Sequence, residues 1–171
     1  MSLLIITNLN ASLINSASFG TPNVISSYNG WEAVKKLPSL ASDFQHTWII
    51  NDRHPHDDQE FTYFPAHMCH PVDFEMRLRD TEALIACRSH LEFREKSTPD
   101  ALHNVYNLHR YNEICVVGFL ASFDVLATIF GCINRKSSVV TTASSCLSDI
   151  SQPMLENALR IMSFYGIRDH G

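Results

Sequence analysis

Short apolar runs alternate with amphipathic stretches along most of this 171-residue chain. Residues 3–7 (Leu-Leu-Ile-Ile-Thr) form a continuous apolar run, as expected of a strand covered on both faces. Residues 8–20 are small and polar and read as loop. Between Pro22 and Leu37, the residues Val24, Ile25, Trp31 and Val34 recur at roughly helical spacing, and Pro38 closes the segment. Residues 47–50 predict a second strand. Residues 51–80 are dense in Pro, His and Asp and predict a long loop, of the kind that usually carries function in a compact domain. Residues 83–86 predict a third strand. Thr98 and Pro99 fit the cap and first turn of a helix whose apolar face would be Leu102, Val105, Tyr106 and Leu108. A fourth strand over 114–117, a buried helix over 124–132 and a fifth strand over 139–142 follow. Ser151 then opens a last helix with Leu155, Ala158, Leu159, Met162 and Phe164 inward.

Strands alternating with helices predict one α/β domain over residues 1–171, a three-layer α/β/α arrangement with a mainly parallel sheet of five or six strands. In such sheets ligands bind beyond the C-terminal strand ends, which places attention on residues 7–10, 51–56, 87–90 and 118–124. Residues 165–171, after the last helix, are too few for a full further strand. That sheet edge is expected to be bare or covered by another subunit.

Composition narrows the function. The net charge is −5, and the 13 Lys and Arg residues are scattered with no basic run, which argues against a nucleic-acid groove or a membrane patch. No apolar stretch approaches the roughly 18 residues that a membrane span needs. The apolar start has no basic leader and no cleavage signature, so it reads as a first buried strand. The five Cys (69, 87, 115, 132 and 146) are odd in number and contain no CxxC pair, which suits buried free thiols and a cytoplasmic location.

Three stretches carry candidate chemistry. Cys115-Val-Val-Gly-Phe-Leu-Ala-Ser-Phe-Asp124-Val-Leu-Ala-Thr128 reads as a buried strand, a tight Gly turn and a helix opening at Asp124. Asn51-Asp52-Arg53-His54-Pro55-His56 is followed by Phe64-Pro65-Ala66-His67. Asp and His two apart at a strand end point the same way, and a third ligand from a loop leaves open positions for water. The pattern suits a zinc-like divalent metal, to which His56 or Glu60 could add a ligand. The third stretch is Ala86-Cys87-Arg88-Ser89-His90.

Together these stretches resemble the isochorismatase-like cysteine hydrolases, and the nicotinamidases among them in particular. The resemblance covers nearly the whole chain and implies that fold. It also implies a triad: an Asp base after the first strand, a Lys after the third, and a nucleophilic Cys at the start of a helix. In this chain the base position is Thr7, the Lys position falls at Cys87 or Arg88, and the nucleophile position is Asp124. Gly118, Val125, Leu126, Ala127 and Thr128 keep the family's pattern. The resemblance further implies a cis peptide at Phe119–Leu120 that helps form an oxyanion hole, a metal at Asp52, His54 and His67, and assembly into a homo-oligomer.

The changed residues alter the chemistry. A thiolate at a helix N-terminus is stabilised by the dipole and a neighbouring cation, and an adjacent carboxylate moves its proton. Thr7 is no base near neutral pH, and Asp124 is a far poorer acyl acceptor than sulfur. Asp124 also fits a helix cap paired to Arg88. The expectation is a catalytically degenerate chain that binds a small ligand or a protein partner through the inherited pocket. The alternatives are a metal-dependent amide hydrolase using Asp52, His54, His67 and Asp124, and a purely structural oligomeric subunit.

Overall fold

The structure is a computed structural model that describes residues 1–14, 27–54, 57–62, 77–103, 105, 107–135 and 139–170. Its strands are β1 (Ser2–Thr7), β2 (His46–Asp52), β3 (His90–Lys96), β4 (Glu113–Gly118), β5 (Val139–Thr142) and β6 (Arg168–Asp169). They form one sheet in the order β3-β2-β1-β4-β5-β6, with every neighbouring pair parallel. The helices are α1 (Ala11–Ile14), α2 (Gly30–Ala41), α3 (Arg79–Ala86), α4 (Leu126–Asn134) and α5 (Gln152–Phe164). None of the described helices is long and apolar enough to cross a membrane.

The central strands are the ones with unbroken apolar runs. Leu3, Leu4, Ile5 and Ile6 of β1 and Ile114, Cys115, Val116 and Val117 of β4 are fully buried, as both faces of a parallel sheet require. Helix α2 packs on α3, and α4 packs on β4 and β5. Pro38 lies inside α2 instead of closing it. Burial of Leu40 and Ala41 carries the helix one turn further and offsets the hydrogen bond that a proline forfeits.

Two predicted elements are corrected. Residues 83–86 are the last half of α3, not a strand. Asp80 and Glu82 occupy its first turn, where carboxylates favour a helix, and Arg77 grips the Glu82 carboxylate through Nε (3.0 Å) and Nη2 (2.6 Å). A four-residue apolar run does not by itself distinguish helix from strand. The true third strand, β3, begins at His90; it is an edge strand, only partly buried, and so carries no continuous apolar signal.

The helix expected after Pro99 is replaced by a turn over 101–103 and a short 3-10 turn at Leu108–Arg110. Side chains take the backbone groups a helix would use. Thr128 Oγ1 accepts from Ala101 N (3.2 Å), Asp100 Oδ1 accepts from Leu102 N (2.8 Å), and Arg135 Nη2 donates to Leu102 O (2.7 Å). At the far edge, Arg168 and Asp169 pair with Thr141 and Thr142. Arg168 and Asp169 thus cover part of the edge that was expected to be bare or covered by another subunit.

Candidate functional site

The C-terminal ends of β1, β2, β3 and β4 converge on a buried ion cluster. At the end of β1 the chain turns through Asn8, which has φ 55°. Asn8 N donates to Ile50 O (2.9 Å), and Asn8 Oδ1 accepts from Asp52 N (3.1 Å), so this residue staples β1 to β2 and fixes the backbone of Asp52. Asp52 and Lys96 are the last register pair of the β2–β3 ladder, and Arg53 N donates to Lys96 O (2.8 Å). Side chains of paired residues lie on one face, so Lys96 and Asp52 meet.

Lys96 Nζ donates to Asp52 Oδ1 and to Asp124 Oδ1. The three side chains are almost wholly buried, with 3% of Lys96, 5% of Asp52 and 7% of Asp124 exposed. Burial alone would push the Lys96 pKa down. The two carboxylates outweigh it and hold the pKa above its ordinary value, so the ammonium stays charged at neutral pH.

Asp124 is positioned by an unusual turn. Gly118 has φ 129°, and a Cβ there would stand 2.2 Å from Thr7 O; only glycine fits this close approach of β4 to its neighbour β1. Leu120 is left-handed (φ 58°, ψ 58°), and residues Ala121–Val125 form a π-helical turn that leads into α4. Such turns recur at functional sites. Asp149 anchors the turn by accepting from Ser122 N (2.7 Å), and Ala121 N donates to Ser148 O (3.0 Å). Asp124 N donates to Leu120 O (2.9 Å), so this N–H already has an acceptor within the turn.

The structure places the predicted site residues unevenly. Thr7 is fully buried, and its hydroxyl lies 3.4 Å from both Val117 O and Phe119 O; it ties β1 to β4 and holds no proton-accepting group. Arg88 does not reach Asp124. It is exposed on the turn after α3, where Nη1 donates to Pro38 O (3.2 Å). Cys87 is exposed beside it. Both precede β3, at the end of the sheet opposite Lys96, because the strand expected at 83–86 is a helix. The Phe119–Leu120 bond, expected to be cis and to help form an oxyanion hole, is trans, as are all peptide bonds among the described residues, and Leu120 is left-handed.

His54 is buried near Asp52. Its Nε2 is 3.9 Å from Asp52 Oδ1, and its Nδ1 is 3.0 Å from Asp58 Oδ2. His56, His67 and the side chain of Glu60 lie outside the described residues. Among the described thiols, Cys115, Cys132 and Cys146 are buried and Cys87 is exposed; none of them touches the Lys96 cluster. A cavity of about 330 Å³ opens beside Lys96, lined by Arg94, Ser97, Thr98, His103 and Val105 among others.

Lys96 is the member of this cluster that pattern reading missed. Its signal was present: a Lys closing the run His-Leu-Glu-Phe-Arg-Glu-Lys96, directly before the strand-breaking Ser97-Thr98-Pro99. With β3 correctly placed, Lys96 stands where the resemblance calls for a lysine.

No protein-family model and no curated protein sequence matches the chain. Solved structures do. A pyrazinamidase/nicotinamidase from Streptococcus mutans is similar with TM-score 0.79 and 16% identity, over 99% of both chains. An isochorismatase-like hydrolase from Alkaliphilus metalliredigens is similar with TM-score 0.80 and 12% identity, over 98% of this chain and 93% of that one. A pyrazinamidase from Pyrococcus horikoshii, solved in complex with zinc, is similar with TM-score 0.74 and 14% identity, over 98% and 97%. The chain has the isochorismatase-like hydrolase fold.

Proposed function

We propose that this chain is a non-hydrolysing relative of the amidases that share its fold, and that it binds a small amide or aromatic ligand in the cavity beside Lys96. One observation carries the reading. Where a cysteine hydrolase would hold a thiolate, a lysine and a free carboxylate base, this chain holds a closed Asp52–Lys96–Asp124 ion cluster. A carboxylate already neutralised by an ammonium is a weak nucleophile and a weak base. Thr7 supplies no base. Asp124 N already donates to Leu120 O within the turn, so this N–H is not offered to a developing oxyanion. The cavity volume is within the range of small-molecule sites, and its lining mixes hydroxyls, an imidazole, the cations Arg94 and Lys96 and the acids Glu95 and Asp100.

The test is ammonia release from nicotinamide, pyrazinamide and a panel of aliphatic amides, run beside calorimetric binding of the same compounds. The expected result is no release above the rate without protein, together with saturable binding of at least one carboxamide that Lys96→Met weakens. Turnover that Asp124→Asn abolishes would sink the proposal.

A second reading is favoured by the surroundings of His54. Its Nδ1 faces the Asp58 carboxylate and its Nε2 faces Asp52, the orientation in which a second carboxylate sets up a metal-ligating imidazole. Asp52 and His54 would hold a divalent ion, with His67 as the third ligand that the resemblance implies. The ion would supply Lewis acidity toward a ring nitrogen, a carbonyl or water. This chain's contribution is to orient His54 through Asp58 and Asp52 through Asn8 and Lys96. Metal content measured after purification, with and without His67→Ala, tests this reading.

A further inference from the structure

The β2–β3 ladder has a second polar cluster at its other end. Its last register pair is Asp52 with Lys96; its first is His46 with His90. The two ends are six residues apart, roughly 20 Å at about 3.3 Å per strand residue, so the clusters are separate. Paired residues of adjacent strands share a face, and so does the residue two further on. His46, His90 and Glu92 therefore project together from the N-terminal end of the sheet.

Their geometry is that of donors around a common point. One ligand atom from each of the three lies within 4.8 Å of the other two. The imidazole rings are 5.2 Å apart, centroid to centroid, and tilted by 55°. Glu92 Oε1 is 3.8 Å from His90 Nδ1, while its other oxygen accepts from Arg94 Nη2 at 2.9 Å. One carboxylate oxygen is held from outside and the other is presented to the histidines. Arg94 in turn lies over the Trp48 ring, 3.6 Å from its centroid. Tyr111 packs edge-on to both His46 and Trp48, which braces the His46 ring. His46 Nδ1 is buried with no hydrogen-bond partner among the described residues, an arrangement that leaves a strong acceptor or donor unsatisfied. Burial, then the nearby His90 and Arg110, lower the His46 pKa.

We infer that His46, His90 and Glu92 form a binding site for a zinc-like divalent transition-metal ion, separate from the Asp52–His54 region. Two imidazoles and one carboxylate suit zinc and its late first-row neighbours and do not suit calcium or magnesium, which take oxygen ligands. Bonds of about 2.0–2.1 Å around a tetrahedral ion place donors about 3.3 Å apart. Small side-chain rotations close the present spacing, and His90, with 65% of its side chain exposed, is free to make them. Because the ligands come from two strands, one of them at the sheet edge, the ion would clamp β3 to β2.

The experiment is calorimetric titration of chelator-treated protein with Zn²⁺, accompanied by the absorption spectrum of the Co²⁺-loaded protein. Wild type and His67→Ala are expected to keep one high-affinity equivalent at this site. His90→Ala, at an exposed position that the fold does not need, is expected to weaken that equivalent about tenfold or more and to change the Co²⁺ spectrum; Glu92→Gln is expected to act in the same direction. Zinc affinity unchanged by both His90→Ala and Glu92→Gln would overturn the inference. So would zinc binding that disappears entirely in His67→Ala, an outcome that would instead place the only ion in the Asp52–His54 region.

Discussion

Replacing Lys96 by Met removes the ammonium and leaves Asp52 and Asp124 facing each other in a buried site. The methionine fills much the same volume, so the perturbation is electrostatic. At about 4 Å and an effective dielectric near 20, each lysine–carboxylate contact is worth about 4 kcal/mol before desolvation. Desolvation of three buried ions takes back much of that sum, which is why the intact cluster adds little net stability. Breaking the cluster is different, because the desolvation remains after the attraction has gone. Loss of one partner from a buried pair costs about 3–5 kcal/mol, and here a single change takes the ammonium away from two carboxylates. Urea unfolding at pH 7 should therefore give Lys96→Met a free energy about 3–5 kcal/mol below wild type. Asp124→Asn leaves Lys96 bonded to Asp52 and should lose only about 1–3 kcal/mol. Adding Asp124→Asn to Lys96→Met should recover part of the loss, a coupling of about 1 kcal/mol or more. A Lys96→Met protein within about 1 kcal/mol of wild type, with an unchanged denaturant slope, would refute the buried cluster.

Two further expectations concern the scaffold. Gly118→Ala should lose about 3 kcal/mol or more, because a Cβ at φ 129° would stand 2.2 Å from Thr7 O; Gly166→Ala has the same left-handed handicap with nothing within 4 Å and should lose only about 1–2 kcal/mol, so comparable urea midpoints for the two would contradict the β1–β4 contact. Burial pushes the Cys115 and Cys132 thiols up to about 12, so at pH 8 only about one in 10⁴ is thiolate. Peptide mapping after native alkylation should find exposed Cys87 modified and Cys115, Cys132 and Cys146 intact until the protein is unfolded; rapid native labelling of Cys115 would count against the packing of β4.

Much of the fold could be read directly from the chain. The β1 and β4 runs are apolar at every position because both faces of a central parallel strand are covered, and 139–142 coincides with β5. The elements that misled are the ones with mixed burial. Residues 83–86 form a four-residue apolar run whose helical state is decided by acidic residues in the first turn and by the Arg77–Glu82 bond. Strand β3 sits at the sheet edge, so its hydrophobic pattern is diluted by His90, Glu92, Arg94 and Glu95. Misplacing that one strand moved the lysine position from Lys96 to Cys87 or Arg88.

What the sequence alone determined is the alternating α/β plan, the absence of a cysteine at residue 124, and a threonine, not a carboxylate, at residue 7; each is a matter of local pattern or residue identity. What only the tertiary structure decided is which groups meet. Asp52, Lys96 and Asp124 are separated by 44 and 28 residues along the chain, and His46 and His90 by 44 positions of sequence that share one rung of a ladder. Strand register and the turn after Gly118 set those meetings. They are long-range consequences of burying the sheet, to which no local window of residues is sensitive.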